Sequence, residues 1–228
     1  MIEIISFLNL LFLALMLGLV HAFEADHIAA VTTIASRSKS IRQSSLAGIF
    51  WGMGHTASLF AVGTVLLALK LTIPESFSVS LEYLVGIMLI VLGLDTIRRV
   101  RKHKLHIHTH AHGEHEHIHV HAHAESPSHA HAHTSFLVGI FHGLAGSGAL
   151  VLLAISSSGT FFAGASFIVF FGIGSIFGMA LLGAGVGLMI RYARKFERMH
   201  TLMQVGTGLL SIVIGALLVY ENTRIGLF

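Results

Sequence analysis

The chain is predicted to be an all-α membrane protein of six transmembrane helices, arranged as two inverted three-helix repeats with the first and fourth spans interrupted. Three observations lead there. Of its 228 residues 54% are hydrophobic and only 11% charged, against about 25% charged in soluble domains. The apolar residues gather into uncharged runs longer than the roughly 18 needed to cross a bilayer. Short matches between the halves recur at a nearly fixed offset. The 14 Lys and Arg sit in short clusters beside the apolar runs, a membrane pattern that excludes nucleic acid as the meaning of the net charge of +3. Cys is absent, which excludes disulfides and thiolate metal sites and leaves nitrogen, oxygen or thioether ligands.

The first segment, from Glu3 to Arg37, encloses 33 residues. As one helix these would reach about 50 Å, against a hydrocarbon core of about 30 Å. Its start lacks a basic region and a small-residue cleavage pattern, so it is read as a mature span and not as a signal peptide. Ser44 to Leu69 forms the second span and Ser78 to Ile97 the third; 136–157 and 162–190 form the fourth and fifth, and Met199 to Tyr220 the sixth. Twelve basic residues fall in loops on one side, leaving Lys70 and Arg224 on the other. By the positive-inside rule the twelve face the cytoplasm, which puts both termini outside a multi-pass protein of the cell membrane.

Gly18-Leu19-Val20-His21 matches Gly139-Ile140-Phe141-His142 at an offset of 121; Trp51-Gly52-Met53-Gly54 matches Phe171-Gly172-Ile173-Gly174, and Val85-Gly86 matches Val205-Gly206, at 120. An odd number of spans per copy turns the second copy upside down, a common plan of secondary transporters. The units are then residues 1–100, a His-rich cytoplasmic loop over 101–135, and residues 136–228.

His21-Ala22-Phe23-Glu24-Ala25-Asp26-His27 places four ionisable groups in seven residues of an apolar run. An Asp at mid-membrane costs roughly 2.5 to 3.5 kcal/mol on insertion scales, a cost that a bound cation offsets. On an unbroken helix, at 100° per residue, His21 and Asp26 point about 140° apart and do not converge on one ion. Convergence requires a break, and the surplus length of the segment provides for one. His55 follows Gly52 and Gly54 mid-span with no charge near it; a lone buried His is usually satisfied by a carbonyl, but beside the first cluster His55 is expected to be a ligand or proton partner. His142 sits among Gly139, Gly143, Gly146 and Gly148 at the position matching His21, while Ser147 and Gly148 stand where Asp26 and His27 would be. One metal site biased to the first half is therefore expected, drawn from His21, Asp26, His27, His55, Glu24 and His142. Imidazoles with carboxylates suit Ni(II), Co(II) or Zn(II).

These residues resemble a known family. The run His21 to His27 is similar to the HX4DH signature of the nickel/cobalt permeases, and Gly54-His55-Thr56 resembles their Gly-His-Ser/Thr motif. The six-span layout, with His142-Gly143-Leu144-Ala145-Gly146-Ser147 in the fourth span, is similar to the related urease-accessory membrane proteins and nickel/cobalt exporters. The chain has Val20 and Glu24 where the permeases carry Arg and Asp. The resemblance implies a transporter of nickel or cobalt ions, not an enzyme, with the metal as cargo and no resident cofactor.

Residues 103–133 hold 13 of the 18 His, interspersed with Glu114, Glu116 and Glu125. Such composition is expected to be disordered without ligand and to bind divalent metal weakly in many arrangements. No Walker motif occurs, so membrane potential or proton exchange is the expected driving force. The permease signature favours uptake. Three alternatives remain open: efflux fed by cytosolic capture on the loop, a membrane-embedded metalloenzyme with Glu24 as base, and a metal-storage accessory protein. Asp95, at the end of the third span, is expected to pair with Arg98 or Arg99. The sequence points to the metal ion and the bilayer as partners, and to no nucleic acid.

Overall fold

A computed structural model of the chain describes residues 2–71, 74–103, 108–112, 115–119, 133–146 and 160–226. In chain order these form α1 (Ile2–His21), α2 (Ala25–Ala35), α3 (Ile41–Leu69), α4 (Glu75–His103), β1 (His108–His112), β2 (His115–His119), α5 (133–146), α6 (Phe161–Ala193) and α7 (Glu197–Gly226). Among the described residues five stretches are long and apolar enough to cross a membrane: Glu3–His21, Ile41–Leu69, Ser76–Lys102, Phe161–Ala193 and Arg198–Arg224. The fourth expected span is helical from 133 to 146; its expected interruption, with Ser147 and Gly148, lies outside the described residues. Large apolar side chains such as Ile4, Leu8, Phe12, Phe177 and Leu202 lie exposed on the outside, as a lipid-facing surface requires.

The first segment is broken where the ionisable cluster lies. Two short backbone bonds, Phe23 N–H to the Val20 carbonyl at 2.9 Å and Glu24 N–H to the His21 carbonyl at 3.0 Å, close α1. Glu24 is then extended, at φ −65° and ψ 152°, before α2 begins at Ala25. The freed helix end is thus satisfied locally, and α2 restarts after the break with Asp26 in its first turn, where the helix dipole favours an anion.

Small residues bring the helices together, as is usual where lipid gives no hydrophobic drive to helix pairing. Helix α3 runs antiparallel to α6, with Gly48 against the Met179 carbonyl, Gly183 against that of Ser44, and the Thr56 hydroxyl donating to the Gly172 carbonyl at 3.2 Å. Helix α1 lies parallel to α6, from Phe7 beside Phe162 to Ala22 beside Gly178. The contacts of α1 on α6 are repeated by α5 on α3. Gly18 meets the Phe171 carbonyl as Gly139 meets that of Trp51, and Gly174 meets Leu15 as Gly54 meets Phe136. The helix caps follow the same spacing, since Ser40 accepts from Gln43 N–H and Thr160 accepts from Ala163 N–H, each at 3.2 Å.

Helices α4 and α7 form a separate antiparallel pair, with Gly86 on the Gly215 carbonyl and Gly93 on that of Gly208, and the Ser211 hydroxyl donating to the Leu89 carbonyl at 2.7 Å. Gly206, matched to Gly86 on sequence, meets nothing within 4 Å. The glycines that make contact are instead related by 122 positions, Gly86 to Gly208 and Gly93 to Gly215.

Short α2 is enclosed by α3, α4, α6 and α7, and seven of its eleven residues are buried. Its Thr33 hydroxyl donates to the Thr207 carbonyl at 3.0 Å. Just beyond its end, Arg37 donates to Asp95 Oδ2 at 2.8 Å, to the Leu92 carbonyl at 2.9 Å and to the Thr96 hydroxyl. Asp95 also accepts from Arg99 at 3.0 Å, so one expected partner is found and the second is a residue 58 positions away.

Within the His-rich stretch, the described residues 108–112 and 115–119 differ from the expected disorder. Residues 108–112 and 115–119 pair as an antiparallel ribbon, with His108 opposite His119, His110 opposite His117 and His112 opposite His115. The alternation of His with Thr, Ala, Glu and Ile has a period of two, the repeat of a strand. The loop's other residues, 104–107, 113–114 and 120–132, lie outside the described ones.

Candidate metal site

The break in the first segment gathers the groups that a straight helix would scatter. His21 ends α1, Asp26 and His27 open α2, His55 stands in the middle of α3, and His142 comes from α5. His21 and His55 face each other through their Nε2 atoms at 3.3 Å. Nδ1 of His21 lies 2.9 Å from Oε1 of Glu24. Asp26 receives two imidazoles, Nδ1 of His27 at 3.1 Å on Oδ1 and Nε2 of His142 at 2.9 Å on Oδ2. The His27 ring is the hub, with centroids 4.5 Å from His21, 5.0 Å from His55 and 4.1 Å from His142.

All six residues expected on sequence therefore meet in one place, Glu24 at its exposed edge. His27, His55 and His142 are 1%, 0% and 3% exposed. Each also keeps one ring nitrogen with no hydrogen-bond partner among the described residues: Nε2 of His27, Nδ1 of His55 and Nδ1 of His142. An unpaired buried polar atom costs about 1–3 kcal/mol, and three in one cluster suit a ligand-binding arrangement better than a packing one. One ligand atom each of His21, His27 and His55 lies within 4.8 Å of the others, and the same holds for Asp26, His27 and His142. Around a cation with bonds of about 2.1 Å, opposite ligands stand about 4 Å apart, so either set reaches an ion by small side-chain movements.

A cavity of about 550 Å³ leads to these groups, with His21, Asp26, His27 and His142 on its wall. Glu82 of α4 lines the same cavity and was not foreseen. The signal was present in the sequence, since Glu82 is an acid inside an otherwise uncharged apolar run and such residues face cavities or partners. Arg37 is held by Asp95 and Thr96 and takes no part in the cluster.

A family model described as NicO, high-affinity nickel-transport protein, matches residues 7–193, a stretch that contains every residue of the cluster. The chain belongs to the NicO family. The chain is also similar to a protein named urease accessory protein UreH from Bacillus sp. (strain TB-90), 37% identical over 217 residues that make up 95% of this chain and 93% of that protein. No solved structure matches the chain. NicO membership bears out the resemblance carried by His21, Asp26, His27 and the Gly54-His55-Thr56 motif. It makes the chain a multi-pass membrane protein of a nickel-transport family and not an enzyme.

Proposed function

We propose that this NicO protein is a secondary transporter that moves nickel into the cell through a site built from His21, Asp26, His27, His55 and His142, with Glu24 beside it. The observation that carries the reading is the broken first segment, whose turn at Ala22–Glu24 lets His21, Asp26 and His27 meet His55 of α3 and His142 of α5 as one donor set. Imidazoles with a carboxylate and no thiolate suit nickel, cobalt and zinc alike; family membership selects nickel, with cobalt and zinc as competing cargo.

Six alternating spans, in two inverted repeats over 1–100 and 136–228, fit the helix directions. Helices α1 and α6 run one way and α3 and α5 the other, and the three-residue turn between α6 and α7 sends α7 back against α4. The symmetric contact pairs Gly18–Phe171 and Gly139–Trp51 support the same plan. With the twelve basic residues in the cytoplasm, both termini face outward. Under that orientation the cavity residues Glu82, early in α4, and Leu218, late in α7, belong to the outer half of the membrane, which supports uptake. There Glu82 draws cations toward the site.

A second reading, efflux, is favoured by one feature: the His-rich segment 101–135 joins the repeats on the cytoplasmic side, where it would capture ions. The relative's name as an accessory to an enzyme agrees better with delivery inward. The test is radioactive nickel uptake into proteoliposomes of known protein orientation. Accumulation toward the cytoplasmic face supports uptake, movement only the other way establishes efflux, and no movement in either direction overturns transport.

A further inference from the structure

We propose that the cluster is two metal stations sharing one imidazole, and that a single ion passes from one nitrogen of His27 to the other during transport. The inference rests on the transport reading above and deepens it. His27 divides the donors into two sets. On one edge its Nδ1 lies 3.1 Å from Asp26 Oδ1, and Asp26 Oδ2 in turn lies 2.9 Å from His142 Nε2. On the other edge its Nε2 is buried without a hydrogen-bond partner among the described residues, while the Nε2 atoms of His21 and His55 stand 3.3 Å apart near the same ring. An ion bound with Asp26 and His142 uses Nδ1; an ion bound with His21 and His55 uses Nε2.

The two stations differ in chemistry and in access. The first binds through a carboxylate and two imidazoles, the second through three imidazoles, with the exposed Glu24 carboxylate only behind His21 at 2.9 Å from its Nδ1. Two dications on opposite edges of one small ring, away from water, would repel strongly, so the stations fill in turn and not together. His55 is the one ligand of the five that does not line the cavity. The ion from the cavity therefore meets the carboxylate station first, where a direct ligand balances its charge, and the all-imidazole station holds it less firmly and releases it onward.

The experiment uses the full-length chain with the thirteen His of residues 103–133 replaced by Ser, loaded with nickel, and counts bound imidazoles by X-ray absorption. His55→Ala should keep one nickel on two imidazoles and a carboxylate, and His142→Ala should keep one nickel on three imidazoles, while each lowers nickel transport by roughly 100-fold or more. Where an alanine variant does not fold, the asparagine variant at that position is measured instead. Equal imidazole counts in the two variants, or loss of all bound nickel in either, would overturn the two stations in favour of one shared site. A parent protein that binds and transports no nickel would overturn the transport reading itself, and this proposal with it.

Discussion

His142 Nε2 lies 2.9 Å from Asp26 Oδ2, across 116 positions of sequence. Through that contact the second half of the chain contributes to a cluster whose other members all belong to the first. The pairing also orients Asp26, whose second oxygen is occupied by His27. Orienting partners of this kind are worth 10- to 100-fold in metal affinity or activity where they have been removed.

Close helix approach depends on glycines that have no room for a side chain. A Cβ on Gly139 would run into the Trp51 carbonyl, whereas one on Gly206 would meet nothing within 4 Å. Gly139→Ala should cost about 1–3 kcal/mol, and Gly206→Ala should gain about 0.5–1 kcal/mol from helix propensity. Thermal unfolding in detergent should move in opposite directions for the two; a common shift would contradict the packing described.

Arg37 ties the end of α2 to α4 through Asp95, Thr96 and the Leu92 carbonyl, with its side chain only 14% exposed. Arg37→Ala should destabilise by about 1–2 kcal/mol, chiefly through lost hydrogen bonds. Arg99 shares Asp95 but is 49% exposed, so Arg99→Ala should change stability by less than about 0.5 kcal/mol. Equal losses in a denaturation series would show that Arg37 is not the principal tie.

Much of the site was legible because it depends on local chemistry. The HX4DH run, too polar for an apolar span and facing in two directions on a straight helix, requires a break, and the break is at Ala22–Glu24. His55 and His142 were visible as isolated imidazoles among glycines. Their partners were not: which nitrogen faces which, and that Asp26 turns to His142, follow from the packing of α5 on α3. Arg37 on Asp95 was hidden for the same reason, since local spacing favoured a neighbour on the same helix. The strand period of residues 108–119 was on the page but obscured by a composition typical of disorder. Glu82 is marked only as a lone acid in an apolar run, a weaker signal than the four ionisable groups clustered at His21 to His27.

Sidedness is testable because the chain has no Cys. A Cys at Ser40, exposed before α3, should react only with reagent from the cytoplasm, and one at Ser76, exposed at the start of α4, only from outside. Labelling of Ser76→Cys from the cytoplasm would reverse the assignment of both termini and, with it, the argument for uptake.

Replacement of residues 106–133 by a Gly/Ser linker of equal length should leave nickel transport measurable and remove most of the weakly bound metal per molecule. Equilibrium dialysis and vesicle flux read the two effects separately. Flux abolished by this change would make the His-rich segment part of the pathway.

The central claim is that the buried His/Asp cluster carries the ion, and Asp26→Asn tests it most directly because it keeps the shape of the side chain and removes its charge. Radioactive nickel flux in proteoliposomes should fall by roughly 100-fold, with the protein folded and its thermal unfolding close to that of the parent. Flux at the parent rate would contradict the account.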